Sequence, residues 1–478
     1  MFGESFRGTN PLPGSTREPA QRQWRLALLP MPRKSVAIGV AESAAPAGAI
    51  APAGRCNIRG PFAPSRIPVP RANLEVVVYG ATSFVGKILC RYLLEQFGVN
   101  QSLRWAIAGR SQDKLSALRA ELGKPAAKLK LLLADAADEG ALSAMCAQTR
   151  VVVSTVGPYA LFGEPLVKVC ARSGTNYCDL TGETQWIRRM LDRHEATAKT
   201  SGARIVHCCG FDSIPSDLGV HFLQQQARAR FGAPCVAVKM RVRTLRGGFS
   251  GGTVGSLMNA VKEAAGDPAV RKLMGNPYAL CPPEKGAKVR QPNVSFAAYD
   301  EDFHSWMAPF VMAAINTRVV QRSNALAGAE RIPGFLYDEA TLTGAGLRGR
   351  ATALALAGGL GGFMLASALP PTRWALQRFV LPAAGEGPSP SAQDNGRFDL
   401  RFFGRTATGK TLRCKVTGDR DPGYGSTAKM LGQAAACLAL DIGKQDRAGG
   451  FWTPATIFGE RLIERLRAHS GLEFQLLD

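Results

Sequence analysis

Acidic residues are scarce in this 478-residue chain: 37 Asp and Glu stand against 59 Lys and Arg, a formal charge of +22. The imbalance points to anionic partners such as nucleotide phosphates, acyl thioesters or an anionic membrane surface. Nucleic acid is not expected, because the cations are spread along the chain without a helix-turn-helix, zinc-finger or aromatic–basic RNA motif. The eleven cysteines contain no C-x-x-C pair and, with only five histidines, build no set at metal-ligand spacing. No metal site is therefore expected. Cys90, Cys146, Cys170 and Cys437 sit in apolar runs, which suits reduced, buried thiols in a cytoplasmic protein. A nucleophile elbow is absent, and so is the lysine of a Walker loop.

Residues 1–72 have neither helical nor strand periodicity, and they contain no continuous apolar run of the kind a secretory signal needs. Rich in Pro, Ala, Gly and Arg, they are expected to form a disordered N-terminal leader. The remainder, in a chain 46% hydrophobic and 20% charged, is long enough for two or three cored domains.

At Leu74 the character changes. The β-branched run Leu74–Tyr79 reads as a buried parallel strand, and Val85, Ile88, Leu89, Tyr92, Leu93 and Phe97 then recur at helical spacing until Gly98. Strands over 103–108, 128–134, 150–156, 177–180 and 204–208 alternate with helices over 112–122, 139–148, 164–172 and 185–200. Successive βαβ crossovers of this kind predict an α/β fold, a Rossmann-type doubly wound parallel sheet over 73–210. Beyond residue 210 the alternation loosens. A half-solvated strand at 236–245 and an antiparallel pair at 398–406 and 411–416 mark a second, α+β substrate domain over 211–420. Helices near 425–440 and 456–468 are expected to complete the first domain from about 421–470.

Between the first strand and its helix lies Gly80-Ala81-Thr82-Ser83-Phe84-Val85-Gly86. In a G-x-x-G-x-x-G loop, the first glycine allows the tight turn, the middle one admits the pyrophosphate, and the last lets helix and strand pack closely. The helix N-terminus then directs its N–H groups at the phosphates. Ser83 replaces the middle glycine here, and its hydroxyl is expected to donate to a phosphate oxygen in compensation.

Cofactor choice follows from the second strand. An acidic residue at its end would accept from the ribose 2′-OH of NAD. Gly109-Arg110-Ser111 stands there instead, with Lys114 one turn later. A guanidinium can fork onto a 2′-phosphate, so the expected cofactor is NADP(H). Asp135, closing the third strand, is placed to cap the adenine edge or to cap the next helix. Ser154, Thr155 and Gly157, closing the fourth, are expected beside the nicotinamide ribose.

These motifs resemble a known family. Gly80–Gly86, Ala108–Arg110, Ser154–Tyr159, Tyr177–Glu183, Gly210–Asp217, Ser250–Thr253 and Asp421–Ala428 look like the saccharopine dehydrogenase-like oxidoreductases, and within them the trans-acting enoyl reductase branch. The resemblance spans about residues 74–470. It implies an NADP-binding domain, a discontinuous substrate domain, association with a membrane or lipid surface, and reduction of enoyl thioesters in lipid or glycolipid synthesis.

Reduction of that kind needs a proton donor within reach of the substrate. Tyr159 is the first candidate and Asp212 the second; Tyr177, Asp179, Ser213 and His207 also lie near strand ends. Asp212 could equally cap the helix that begins near Pro215. Two other readings stay open. A saccharopine-type dehydrogenase would need paired arginines, for which Arg241 and Arg243 are the adjacent candidates, and a scaffold would bind NADP without turnover. The partners expected are a small-molecule or acyl-thioester substrate, an anionic membrane surface and a second copy of the chain in a homodimer.

One segment departs from a soluble pattern. Residues 351–372 carry no charge, and Arg348, Arg350, Arg373 and Arg378 flank them on both sides. A helix of about 20 residues reaches roughly 30 Å, enough to cross a bilayer, but arginines at both ends do not favour a crossing. An interfacial hairpin, a span and a core helix all fit this composition. Contact with the inner face of the plasma membrane is the expectation.

Overall fold

Every residue of β1 (Leu74–Tyr79) is buried, as a β-branched run at the centre of a parallel sheet should be. The computed structural model describes residues 73–248, 251–283, 289–379 and 387–477; the leader expected over 1–72 lies outside these. After β1 come α1 (Phe84–Phe97), β2 (Trp105–Gly109), α2 (Gln112–Glu121), β3 (Lys130–Leu133), α3 (Glu139–Cys146) and β4 (Thr149–Ser154). The short α4 (Tyr159–Phe162) and α5 (Glu164–Ser173) lead to β5 (Asn176–Asp179), α6 (Thr184–Ser201), β6 (Arg204–Val206) and α7 (Ile214–Phe231).

The second half begins with β7 (Cys235–Arg246), α8 (Gly251–Gly266) and α9 (Pro268–Gly275). Next are β8 (Ala298–Asp300), β9 (Ser305–Pro309), α10 (Ala313–Leu326) and β10 (Leu336–Gly344). The helices α11 (Gly346–Ala368), α12 (Pro370–Phe379) and α13 (Pro390–Asp394) precede the hairpin β11 (Arg397–Thr406) and β12 (Thr411–Gly418). The chain closes with α14 (Gly425–Leu440), β13 (Gly450–Trp452), α15 (Pro454–Ile457), α16 (Glu460–His469) and β14 (Leu472–Leu477).

Among the described residues the strands form two seven-stranded sheets. The first is parallel in the order β3-β2-β1-β4-β5-β6, with β13 added beyond β6. Strand order reverses between β1 and β4, so the carboxyl ends of those strands open the crevice where doubly wound sheets take their ligands. The second sheet runs β14-β12-β11-β7-β10-β9-β8 and is mixed, with β7 and β10 parallel and the other pairs antiparallel. The α/β class with a parallel sheet and a second, mixed sheet is thus as the alternation implied.

Late chain segments return to the first sheet. α14 packs on α1, where a Cβ on Gly432 would lie 2.9 Å from the Tyr92 ring and Gln433 donates to the Tyr92 hydroxyl at 2.7 Å. Ala, Gly and Cys along α14 permit this close approach, and nearly the whole helix is buried.

The charge-free segment forms most of α11, a helix of 23 residues. A core helix would be enclosed; here only Gly349, Ala353, Ala357 and Ser367 are buried, while Leu347, Leu354, Leu356 and Leu365 are exposed. That finding removes the core-helix alternative.

Candidate cofactor and active site

The loop after β1 turns at Gly80, whose φ of +82° lies in the left-handed region that glycine tolerates. A Cβ there would sit 2.5 Å from Val156 Cγ2. On Gly86 it would fall 2.4 Å from the Gly80 carbonyl oxygen, so the last glycine brings α1 against the strand end. Ser83 does not fill its expected role. It is the N-cap of α1 and accepts from the Gly86 N–H at 2.9 Å, while its hydroxyl lies 3.0 Å from Thr155 Oγ1. Thr155 donates to the Gly80 carbonyl at 2.9 Å, so the proton between the two hydroxyls belongs to Ser83. Both of its hydrogen-bonding functions therefore shape the loop. Ala81 is buried and Thr82, Phe84 and Val85 are part-exposed, leaving the first-turn N–H groups of Phe84 and Val85 as anion donors. The Phe84 ring meets Tyr424 edge-on at 5.1 Å.

At the adenosine end, Arg110, Lys114 and Asp135 are all exposed at or just beyond the carboxyl ends of β2 and β3. Asp135 accepts from the Ala137 N–H at 2.9 Å, whereas Asp138 caps α3, so the alternative role for Asp135 as that cap does not hold. The Tyr79 phenol at the end of β1 is pushed up to about 12, first by burial and then by Asp135, with Arg110 opposing. One electrostatic neighbourhood thus joins the ends of β1, β2 and β3. A cradle of close-packed glycines, helix N–H donors and an exposed guanidinium fits a dinucleotide carrying a 2′-phosphate.

Around β4, β5 and β6 the structure rearranges the expected roles. Tyr159 is buried; its hydroxyl donates to the Ser154 carbonyl at 3.0 Å and accepts from the Leu180 N–H at 3.2 Å. Burial holds its phenol well above the ordinary value. The first-choice proton donor therefore ties the end of β4 to the end of β5. Tyr177 donates to Asp179 Oδ2 at 3.0 Å, and His207 Nδ1 lies 2.7 Å from the same oxygen. Asp179 is fully buried and also receives the Thr181 and Cys208 N–H groups. Ser213 donates to Asn316 Oδ1 at 3.0 Å.

Asp212 differs from these. It is half-buried, it does not cap α7, whose N-cap is Ser213, and among the described residues its carboxyl has no side-chain partner. Its Oδ1 lies 3.7 Å from where a Cβ of Gly182 would be, and Ile315 adjoins the same spot. Burial first, and the nearby Asp179 charge second, raise it from 3.8 to about 7. An acid in that range holds a transferable proton near neutrality.

One organising residue escaped the sequence reading. Glu183 is buried and accepts the N–H groups of Tyr159 at 2.8 Å and Ala160 at 3.0 Å, one on each oxygen. Burial raises its carboxyl, and its bonds to those N–H groups and to Ser256 of α8 oppose the rise. Ser256 Oγ also lies 3.9 Å from where a Cβ on Gly157 would be, so α8 closes on the loop after β4. A carboxylate just before a helix is visible in the sequence, but nothing local says that it caps α4 and not its own helix α6. Residues 251–253 of the Ser250–Thr253 motif form the first turn of α8; Ser250 lies outside the described residues.

The arginine pair needed for a polycarboxylate substrate is not available. Arg241 is fully buried and neutralised by Asp300 at 2.7 Å and Asp338 at 2.8 Å, and Arg243 stands apart, 4.0 Å from Asp399.

Comparison with known proteins agrees with this geometry. The Saccharopine dehydrogenase NADP binding domain matches residues 76–206. A Mycobacterium tuberculosis protein, provisionally named a trans-acting enoyl reductase, is 38% identical over 412 residues, 84% of this chain and 97% of that one. The trans-acting enoyl reductase of Mycobacterium bovis is 36% identical over 408 residues, covering 82% and 96%. Among solved structures, apo saccharopine dehydrogenase (L-Glu forming) from Saccharomyces cerevisiae aligns at 16% identity with a TM-score of 0.47, over 85% of this chain and 100% of that one.

Proposed function

The chain belongs to the saccharopine dehydrogenase-like family, in the branch of the trans-acting enoyl reductases, and on that premise we propose that it uses NADPH to saturate an enoyl thioester in lipid metabolism. The observation that carries the reading is Asp212, a carboxyl held near 7 without a side-chain partner among the described residues, a few residues beyond β6 of the parallel sheet. When bound, NADPH supplies the hydride that adds to the β-carbon of the conjugated double bond.

Gly80–Gly86 and the N-terminus of α1 would hold the diphosphate, and Arg110 with Lys114 would grip the 2′-phosphate. Thr155, Gly157 and the α4 turn fixed by Glu183 would position the reactive end. Asp212 gives its proton to the α-carbon as the enolate collapses, completing addition of two hydrogens across the double bond. Being half-buried, the resulting carboxylate recovers a proton from water.

Electrostatics support an enoyl thioester over a saccharopine-like substrate. Asp179, Glu183 and Asp212, ionisable groups at the ends of β5 and β6 beside His207, include no guanidinium that could fork onto the carboxylates of such a substrate. The candidate cation Arg241 is already paired in the second sheet.

The test is turnover by the full chain with NADPH and a medium-chain enoyl-pantetheine thioester, followed by NADPH absorbance. The thioester should be reduced, and saccharopine with NADP+ should give nothing. Turnover of saccharopine alone would reverse the reading. Tight NADPH binding with no turnover of either substrate would favour the scaffold.

A further inference from the structure

The serine at the head of α7 does not cap its own helix. A serine at that position ordinarily accepts from the N–H two or three residues on. Ser213 is the N-cap of α7 and makes no such bond. Its hydroxyl turns to α10 instead and donates to Asn316 Oδ1 at 3.0 Å. The same amide reaches the third residue of the helix, where Asn316 Nδ2 donates to Ser216 Oγ at 3.1 Å. One side chain of α10 thus grips both ends of the first turn of α7, and Ser213, Ser216 and Asn316 are all buried.

What holds the asparagine lies in the second sheet. Asn316 Nδ2 also donates to Glu339 Oε2 at 2.9 Å, and Tyr337 donates to the other oxygen of that carboxyl at 2.7 Å. An amide has two N–H donors and one carbonyl to satisfy, and here each has a partner. Glu339 and Tyr337 are buried with it, so β10 on one side and α7 on the other specify how the amide is turned.

This tether ends beside Asp212. Asp212 directly precedes Ser213, and the residue on its other side is held as well, the Phe211 N–H donating to Thr427 Oγ1 at 3.0 Å. Ile315, next to Asn316 on α10, adjoins the spot near Gly182 where Asp212 Oδ1 lies. Asp179, whose charge acts on Asp212, has partners of its own outside this network. Loss of the network would therefore move the acid without removing the anion that acts on it.

We propose that Asn316 is a positioning residue: anchored on Glu339, it sets the first turn of α7 and, through Ser213, the place from which the Asp212 carboxyl delivers its proton. This role rests on Asp212 being the acid. It makes the second sheet, through β10, responsible for where that acid stands, and a misplacement of about 1 Å can cost roughly a hundredfold in rate.

The experiment measures kcat, the KM for NADPH and the pH profile of kcat for the full chain with the enoyl-pantetheine thioester. Asn316→Leu removes all three amide bonds at similar size. Its kcat should fall about tenfold to a hundredfold, with the KM for NADPH little changed. The decline of kcat with rising pH should begin lower than in the wild type, because the released carboxyl meets more water. Glu339→Gln keeps an oxygen for Asn316 and should keep most of kcat. Adding Asn316→Leu to Asp212→Asn should cost nothing further, since a residue that acts through the acid has no effect once the acid is gone. An equal fold-loss in both backgrounds would mean a merely structural role and would overturn the proposal. Wild-type kcat in Asn316→Leu, beside an inactive Asp212→Asn, would overturn it too and leave the acid in place. A fully active Asp212→Asn would defeat both readings together. Should Asn316→Leu fail to bind NADPH, Ser213→Ala removes only the link nearest the acid and carries the same test, with kcat and its pH profile expected to move in the same directions.

Discussion

Past the carboxyl ends of β2 and β3, Arg110, Lys114 and Asp135 stand in water, Lys114 in the first turn of α2, whereas the ionisable groups around the ends of β5 and β6 are buried or half-buried. Solvent surrounds the first set, and each residue offers a charge that the local sequence already displays. In the second region burial changes the chemistry. Asp179, fully buried, is surrounded by four hydrogen-bond donors, while Asp212, a few residues beyond β6, keeps a proton to about pH 7. The same residue type is thus enclosed by donors in one place and left without a side-chain partner among the described residues in the other, where burial first and the Asp179 charge second raise the carboxyl of Asp212.

The sharpest way to break that contrast is Asp212→Asn, which preserves shape but cannot deliver a proton. Turnover should fall by about 10²–10⁴-fold with the KM for NADPH little changed. In the wild-type protein kcat should decline as pH rises through about 7, because the protonated acid is the active form. A full rate in Asp212→Asn, or a kcat that climbs through that range, would place the acid elsewhere.

Next in size is the exposed end. Arg110→Ala removes a charge-assisted phosphate contact and should weaken NADPH binding about tenfold to a hundredfold, leaving NADH unaffected. Titration of both cofactors by fluorescence measures the ratio, and an unchanged ratio would reject the assignment.

Glu183→Gln turns one acceptor into an N–H group facing a backbone N–H. Unfolding in denaturant should show a loss of about 1–3 kcal/mol, with a higher KM for NADPH as the α4 turn loosens. Tyr159→Phe should cost about 1 kcal/mol and leave kcat far above the level of Asp212→Asn. A hundredfold loss of kcat in Tyr159→Phe would restore the tyrosine as the acid.

The last effect is on how stability depends on pH. Asp212, Asp217 and Glu339 are each raised to about 7 in the fold, from 3.8, 3.8 and 4.5. Between those limits the folded chain binds more protons than the unfolded one, so stability falls as pH rises from about 4 to about 7. Asp212→Asn should reduce that slope by about a third, appearing more stable than wild type at pH 8 and equal to it near pH 4. Equal slopes would mean that Asp212 is not held protonated by the fold.

Much of this architecture is determined by the sequence alone. Strand and helix positions through β6 follow from β-branched runs and helical spacing, because each element buries a face that its own residues define. The glycine loop and the guanidinium after β2 are equally local: a left-handed turn requires Gly80, and a missing carboxylate is visible in the sequence. Tertiary structure alone decided which hydroxyls and carboxyls are available. Tyr159 and Asp212 look alike as polar residues near strand ends, yet Ser154 and Leu180 occupy both functions of the tyrosine, while the carboxyl of the aspartate lies near Gly182 with no side-chain partner among the described residues. The covering of α11 was likewise undecided by composition, since a charge-free helix suits a core, a span or an interface. Its fate depends on how much of its surface the second sheet covers, and that sheet joins segments separated by more than two hundred residues, from β7 to β14.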